Sequence, residues 1–356
     1  MSKKVVVGMS GGVDSSVAAY LLKKQGFDVI GVTMQIWQND EDSFEEGGCC
    51  GFSAVDDARG VAAKIGIPYY VLNFREEFKK HVIDYFIDEY VKGVTPNPCI
   101  ACNRYVKWEV LLSKALQIGA DYIATGHYAR IEKHPQTLRY TIRTAETETK
   151  DQTYALYNLT QSQLSHTLMP IGDFEKKDVR KIAAEIGLYV ADKPDSQDIC
   201  FVKDNDYDGF IREHSDYKLK EGNFVDFDGN VLGKHKGISR YTIGQRKGLG
   251  IAFGKPMYVC QIRPETNEVV IGENERLFSK DVYVEKFSFM AFEPKDGEYR
   301  VSGKIRYSQK KAPCTLKVKG DSAICIFDEP QRAVTPGQAA VFYDGDYIVG
   351  GGTIVR

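Results

Sequence analysis

Gly8-Met9-Ser10-Gly11-Gly12-Val13-Asp14-Ser15-Ser16 is the stretch around which this chain is organised. The apolar run Val5-Val6-Val7 before it reads as a buried strand, and Val17-Ala18-Ala19-Tyr20-Leu21-Leu22 after it is good helix-forming sequence. Strand, glycine-rich turn and helix in that order make a phosphate-binding layout. Glycines let the backbone turn tightly and come close to an anion. Successive N–H groups then form a nest at a helix N-terminus, where the dipole favours negative charge. Two familiar alternatives do not fit. The turn lacks the Gly-Lys-Ser/Thr ending of a Walker loop, and its spacing is not the G-x-G-x-x-G of a dinucleotide fold.

Outward from this loop, strand and helix patterns alternate. Asp28–Met34 and Tyr69–Leu72 read as strands, and Tyr122–Thr125 as a strand running into Gly126-His127. Ala54–Ile65, Glu76–Val91, Arg104–Ile118 and Glu175–Ile186 have helical spacing, and Gly66, Gly119 and Gly187 stand where C-caps belong. The alternation predicts an α/β fold: a doubly wound parallel sheet with its ligand at the carboxyl ends of the strands. After Val202 helical periodicity fades. Short alternating runs follow, with hairpin-like turns at Asp228-Gly229-Asn230 and Asp344-Gly345-Asp346. The expected division is a nucleotide-loop unit at 1–205, a small β-rich central domain at 206–278 and a β-barrel-like C-terminal domain at 279–356.

A chain of 356 residues with 43% hydrophobic content has ample core for two or three domains. No apolar run approaches membrane-spanning length and no signal peptide is visible, so the expected location is cytoplasmic, away from membranes. In a reducing compartment the eight cysteines read as thiols, catalytic groups or metal ligands rather than a disulfide framework. Net charge is only −2 but unevenly spread. Val231–Arg263 carries seven Lys/Arg and no Asp/Glu, and Arg300–Lys319 again seven and none. This asymmetry fits either a polyanion partner on the C-terminal half or two solvated faces of Lys-rich β-structure. The acidic stretch 39–48 has the composition of a mobile lid.

Thr95-Pro96-Asn97-Pro98-Cys99-Ile100-Ala101-Cys102-Asn103 reads as a rigid loop whose prolines hold off helix until Arg104. It places Cys102 just before a helix start, where a thiolate is favoured. Three readings of Cys-x-x-Cys compete here. A zinc site would need two more ligands, with Cys49-Cys50 and His127 available. A redox pair is the second, and a pairing of Cys102 with distant Cys200 the third. Cys200 sits in Asp195-Ser196-Gln197-Asp198-Ile199-Cys200-Phe201, where a buried strand cysteine is the plain alternative.

Ser10-Gly11-Gly12-Val13-Asp14-Ser15 resembles the pyrophosphate loop of the ATP pyrophosphatases, which cleave ATP between its α and β phosphates. Further matches come from Asn97-Pro98-Cys99 through Cys102-Asn103, Thr125-Gly126-His127-Tyr128, Lys150-Asp151-Gln152 and Ile199-Cys200-Phe201. Others are Tyr241–Gly250, Arg306-Tyr307, Pro336-Gly337-Gln338 and Gly350-Gly351-Gly352. Together they resemble the bacterial tRNA-specific 2-thiouridylases nearly end to end.

That resemblance implies ATP with Mg²⁺ at Gly8, Met9, Ser10, Gly11, Gly12, Val13, Asp14 and Ser15, with Met34 and Gly126 also touching the nucleotide. It implies Asn97, Pro98 and Cys99 against a flipped base. It implies tRNA contacts at His127, Lys150, Asp151, Gln152, Arg306, Tyr307 and Gln338, on the anticodon arm around the wobble uridine. Cys200 would carry a persulfide and Cys102 would be the partner nucleophile, leaving a transient Cys102–Cys200 disulfide. A cysteine desulfurase or persulfide relay would donate the sulfur, and a reductant would reset the disulfide. Under this reading the two basic segments track RNA phosphates.

Some members have Asp where this chain has Cys99, and a thiol differs from a carboxylate in proton affinity and geometry, so the resemblance assigns no general acid/base here. Cys99, Cys102 and Cys200 also admit an iron–sulfur cluster with one open iron, which ranks behind the persulfide route. Read without the resemblance, Lys150-Asp151-Gln152 is a helix N-terminus capped by Asp, His127 a satisfied loop histidine, and Trp37 and Trp108 packing residues. Two other classes compete. An ATP-dependent small-molecule ligase shares the loop but explains neither cysteine segment. A non-catalytic tRNA- or zinc-binding protein leaves the loop unexplained.

Overall fold

The structure is a computed structural model that describes residues 2–37, 52–195, 199–202, 206–251 and 254–355. The expected lid at 39–48, Cys49-Cys50 and Ser196–Asp198 lie outside the described residues.

The first unit is the expected doubly wound sheet. Its strands are β1 (Lys4–Gly8), β2 (Asp28–Gln35), β3 (Tyr69–Asn73) and β4 (Tyr122–Ala124). A hairpin of β5 (Arg130–Lys133) and β6 (Tyr140–Arg143) then precedes β7 (Thr167–Leu168). The sheet order is β3-β2-β1-β4-β7, and every pairing is parallel. The chain winds outward from β1 to β3 and then crosses back to β4, so the order reverses between β1 and β4. That reversal is where an open α/β sheet leaves its ligand crevice.

Residues of β1 alternate between two cores. Val5 and Val7 join Val17, Ala58 and Val179 of helices on one face. Val6 joins Phe78, Phe86 and Trp108 of helices on the other. A strand buried on both faces reads as a continuous apolar run, as Val5-Val6-Val7 does.

Two long helices, 75–91 and 98–117, cover the second face. Each contains a π-helical stretch, Lys79–Ile83 in the first and Cys102–Leu111 in the second. The expectation of a loop as far as Asn103 is overturned. Asn97 is the N-cap, and its Oδ1 accepts from the backbone N–H groups of Cys99 (3.1 Å) and Ile100 (3.3 Å). Pro98 then occupies the first helical position, where its missing N–H costs nothing and its fixed φ suits the helix. Proline and Asn start this helix; they do not delay it.

The central module forms a sheet in the order β10-β11-β8-β9 from β8 (Gly222–Val225), β9 (Val231–His235), β10 (Tyr258–Arg263) and β11 (Glu268–Gly272). Asp228-Gly229-Asn230 makes the expected turn between β8 and β9, with Gly229 at φ +87°. Phe210 and Ile211, on the preceding helix Tyr207–Glu213, pack into the α/β core instead.

The C-terminal strands are β12 (Phe278–Phe289), β13 (Gly297–Lys304), β14 (Ala312–Lys319), β15 (Ser322–Arg332), β16 (Ala339–Asp344) and β17 (Tyr347–Ile354). Their order is β12-β15-β14-β13-β16-β17, and β17 pairs with β12, which closes a six-stranded barrel. Closure leaves no open edge within the six. The β5–β6 hairpin of the first unit adds to this sheet through Arg143 opposite Tyr347, a long-range pairing with no local signal. Among the described residues no helix is long and apolar enough to cross a membrane.

Candidate nucleotide and thiol site

The glycine loop leaves β1 at the point where the strand order reverses. The Met9 N–H donates to the Val32 carbonyl (2.8 Å), and Thr33 Oγ1 donates back to the Met9 carbonyl (2.7 Å). These bonds fix the loop's exit against β2. Gly11 has φ +73°, and a Cβ there would strike the Ala54 backbone. Gly12 is the N-cap of helix Val13–Lys24, and no side chain caps that N-terminus. Ser15 Oγ folds the loop by accepting from the Ser10 N–H (3.1 Å) and donating to the Gly12 carbonyl (3.2 Å). Gly126, just past β4, closes the other side. A Cβ there would lie 2.6 Å from the Ser15 nitrogen. Half-buried Met34 belongs to the carboxyl-end half of β2. The structure therefore brings Gly8–Ser15 and Gly126 together, with β2 alongside.

A charged network that sequence reasoning missed stands at this mouth. Lys176 Nζ donates to both Asp14 carboxylate oxygens, at 2.7 and 2.8 Å, and lies 2.8 Å from Asp195. Asp195 also accepts from Lys150 (2.8 Å) and Arg180 (3.2 Å). Lys193 reaches the Gly11 carbonyl (3.4 Å) and Asp57 (2.6 Å). Burial opposes ionisation of Asp195, but the bonds from Lys150 and Lys176 outweigh it and hold the carboxyl at about 2. The Tyr128 hydroxyl donates to Asp14 (2.7 Å), and burial together with the Asp14 charge pushes that phenol far up. Four cations thus converge beside the glycine loop and are balanced by three carboxylates. A polyphosphate entering here can take over cations already in place.

The thiols sit on two elements. Cys99 is exposed at the second helical position of 98–117, so the helix-terminal field falls on it more than on Cys102. Cys102 is half-buried at the start of the π-helical stretch and packs on the same core as Ile199 and Phe201. Cys200 is exposed, but its neighbour Phe201 is anchored edge-on against Phe78 (5.7 Å) and Phe86 (5.2 Å). Among the described residues no group of three or more His, Cys, Asp or Glu is disposed to hold a metal ion.

The remaining candidates are divided between the first unit and the C-terminal barrel. His127 Nδ1 bonds with Thr125 Oγ1 (2.7 Å), and burial with the nearby Lys107 charge keeps the imidazole well below its ordinary pKa. The Gln152 Oε1 accepts from the Tyr128 N–H (2.9 Å). Asp151 accepts from the Ala145 N–H (3.1 Å) and Thr153 Oγ1 (2.7 Å) and caps no helix. The exposed Tyr307 has its phenol pKa raised by burial of the hydroxyl and then by the Asp151 and Cys99 charges, which places those three in one neighbourhood. Arg306 donates to the Arg332 carbonyl (3.0 Å). Gln338 donates to the Thr95 carbonyl (2.9 Å), just ahead of Asn97.

The two acid-free basic segments are partly neutralised by the fold. Arg240 pairs with Asp208 (2.9 Å), Arg263 with Glu268 (3.5 Å) and Lys311 with Asp346 (3.1 Å). Lys234, Lys236 and Arg240 nevertheless line a cleft of about 590 Å³ with Gly248, Leu249 and Gly250, where the central module meets the α/β unit.

Comparison with known proteins covers the whole chain. Residues 3–204 match the family model described as the tRNA methyl transferase HUP domain. Residues 208–273 match the tRNA methyl transferase PRC-barrel domain, and 279–354 the aminomethyltransferase beta-barrel domain. Three curated relatives carry the name tRNA-specific 2-thiouridylase MnmA. The one from Lachnoclostridium phytofermentans is 62% identical over 99% of this chain and 100% of its own length. The Clostridioides difficile relative is 61% identical over 100% of this chain and 99% of its own. That of Acetivibrio thermocellus is 60% identical, over 99% of each chain.

Proposed function

The chain belongs to the tRNA-specific 2-thiouridylase family, and from that premise we propose that it converts the wobble uridine of tRNA to 2-thiouridine in an ATP-dependent reaction. The observation that carries this reading is the junction of an anion-binding glycine loop, through Lys176 and Asp195, to the segment that bears Cys200. This junction supports a nucleotide site and a thiol site within one unit. The name of the family model mentions methyl transfer, but a chain that carries two thiol segments as well as such a loop suits sulfur transfer.

The chemistry needs both halves. The C2 oxygen of uracil is a poor leaving group. Transfer of AMP to it, with loss of pyrophosphate, makes C2 electrophilic and supplies a leaving group. Gly8–Ser15 and Gly126 hold the nucleotide, with Met34 beside it, and Lys176 and Lys193 face the phosphates with charge fixed in advance. Asp14, the carboxylate of the glycine loop, would help hold a Mg²⁺ ion that travels with ATP, and that ion would supply neutralisation of phosphate charge.

Sulfur comes next. The terminal sulfur of a Cys200 persulfide attacks C2. The Cys102 thiolate attacks the inner sulfur, the persulfide S–S bond breaks, and its electron pair stays on the transferred sulfur. AMP departs with the C2–O pair. The products are 2-thiouridine, AMP and a Cys102–Cys200 disulfide, which an external thiol reductant returns to two thiols. Unit 1–205 carries this chemistry, while 206–278 and 279–356 hold the anticodon arm. Lys234, Lys236 and the cleft beside them follow its phosphates.

Pyrophosphate release from ATP, with and without unmodified tRNA, tests the reading. Release should depend on tRNA and disappear when cytidine replaces the wobble uridine. Release that ignores tRNA would mean a small-molecule acceptor and overturn the proposal.

A further inference from the structure

The linker between the two long helices is the place where all three units of the protein meet. Gly93 lies on the central module: with φ +72°, a Cβ there would come 2.6 Å from Ile262 Cγ2. Thr95 Oγ1 is 3.2 Å from Thr242 Oγ1 of the same module. The Thr95 N–H donates to the Pro336 carbonyl of the barrel unit (3.1 Å). Gly337, at φ +89°, leaves no room for a side chain, since a Cβ would stand 2.8 Å from the Thr95 carbonyl oxygen. The Gln338 side-chain amide then donates from Nε2 to the carbonyls of both Thr95 (2.9 Å) and Pro96 (3.4 Å).

Gln338 is itself held firmly. Its N–H donates to the Thr335 carbonyl (3.2 Å), and its carbonyl accepts from the Ile354 N–H (2.8 Å). The linker has few bonds of its own to set its path, because Pro96 and Pro98 carry no N–H. One residue beyond Pro96, Asn97 caps the helix that presents Cys99 and Cys102. Whatever fixes the carbonyls at 95 and 96 therefore fixes the first turn of the thiol-bearing helix.

We propose that Gln338 is a positioning residue: the barrel unit, through this amide, sets the placement of Asn97–Cys99 and Cys102 for reaction. This goes beyond the proposed function and rests on it for its activity readout. It also differs from what family resemblance implies, a direct contact of Gln338 with tRNA. A contact changes substrate affinity. A positioning residue changes turnover, because small displacements of reacting groups are costly in rate.

The experiment compares wild-type protein with Gln338→Glu, near-isosteric but without the donor, and Gln338→Leu. Steady-state pyrophosphate release is measured against tRNA concentration with a sulfur donor and a thiol reductant present, and thermal melting is the check of folding. kcat should fall about tenfold or more while KM for tRNA stays within about twofold. A raised KM with kcat intact, or no change in either, overturns the proposal. If both variants unfold, Thr242→Val loosens the same linker from the central module and should give the same split at smaller amplitude; no split there overturns it. A second readout needs no turnover: iodoacetamide labelling of Cys99 and Cys102 without tRNA, followed by mass spectrometry. The labelling rate should change by about threefold or more in Gln338→Glu, and an unchanged rate argues against the clamp. Wild-type protein that releases no pyrophosphate with tRNA defeats the proposed function instead, and the labelling result still decides the clamp.

Discussion

Lys176 and Asp14 form a two-pronged ion pair, 2.7 and 2.8 Å, inside the mouth of the glycine loop. The lysine side chain is only 15% exposed and also touches Asp195. It is thus a preorganised cation at the place where nucleotide phosphates are proposed to sit. Such a charge stabilises the transition state without reorganising during reaction. Lys176→Met should lower tRNA-dependent pyrophosphate release by about 100-fold or more. Lys176→Arg should recover only part of this, since a planar guanidinium does not replace a compact ammonium. The comparison is of kcat/KM for ATP; wild-type values for Lys176→Met would remove this lysine from the site.

What could be read in advance follows from how local each signal is. The loop was legible because strand, glycines and helix are contiguous and each piece agrees with the others. The parallel sheet followed from alternation. Lys176 was not legible, because it opens an amphipathic helix 162 residues from Asp14 and only the fold joins them. The start of helix 98–117 departs from the local sequence pattern for a different reason. Pro98 breaks a helix from within but starts one at its first position, and only Asn97 distinguishes the two cases. The β5–β6 hairpin, donated by the first unit to the barrel sheet, is a long-range pairing that strand patterns do not announce. Charge counting overstated the basic surface, because strand pairing brings Glu268 to Arg263 and the turn between β16 and β17 brings Asp346 to Lys311.

Asp195 gives the site a pH signature. Its carboxyl is held at about 2, below its ordinary value of 3.8. A depressed carboxylate stabilises the fold above the unfolded-state pKa, and that stabilisation is lost as pH falls through the folded value. The stability gap between wild type and Asp195→Asn, on the order of 1 kcal/mol, should therefore be constant from neutral pH to about 5 and close between about 4 and 2. Urea unfolding at several pH values measures it. A gap that persists at the acid end would mean that the Asp195 charge is not what holds Lys176 and Lys150.

Gly126 tests the far wall of the loop. A Cβ there would stand 2.6 Å from the Ser15 nitrogen and 2.7 Å from the Asp14 carbonyl carbon. Both are backbone atoms of a helix start, so neither can swing aside. Gly126→Ala should shift the helix N-terminus, raise KM for ATP about tenfold and cost roughly 1–3 kcal/mol in stability. Unchanged ATP kinetics would show that the loop tolerates displacement and does not hold phosphates by close fit.

In the proposed reaction the two thiols act only in sulfur transfer, after activation. Nothing in adenylation calls for Cys102 or Cys200, whereas sulfur release calls for both. Cys102→Ser should therefore give a burst of about one pyrophosphate per enzyme with tRNA and ATP, then stop, with no 2-thiouridine formed. Cys200→Ser should behave the same way and, in addition, carry no persulfide after exposure to a sulfur donor. Cys102→Ser, by contrast, should load Cys200 normally and retain the persulfide, because the attack that frees the outer sulfur is missing. Rapid-quench pyrophosphate assays and intact-protein mass spectrometry read these states directly. Absence of the burst in Cys102→Ser would place that thiol in the adenylation step, and continued 2-thiouridine formation would remove it from the reaction. The serine oxygen cannot take its place, since it is not a thiolate and cannot form the closing disulfide with Cys200.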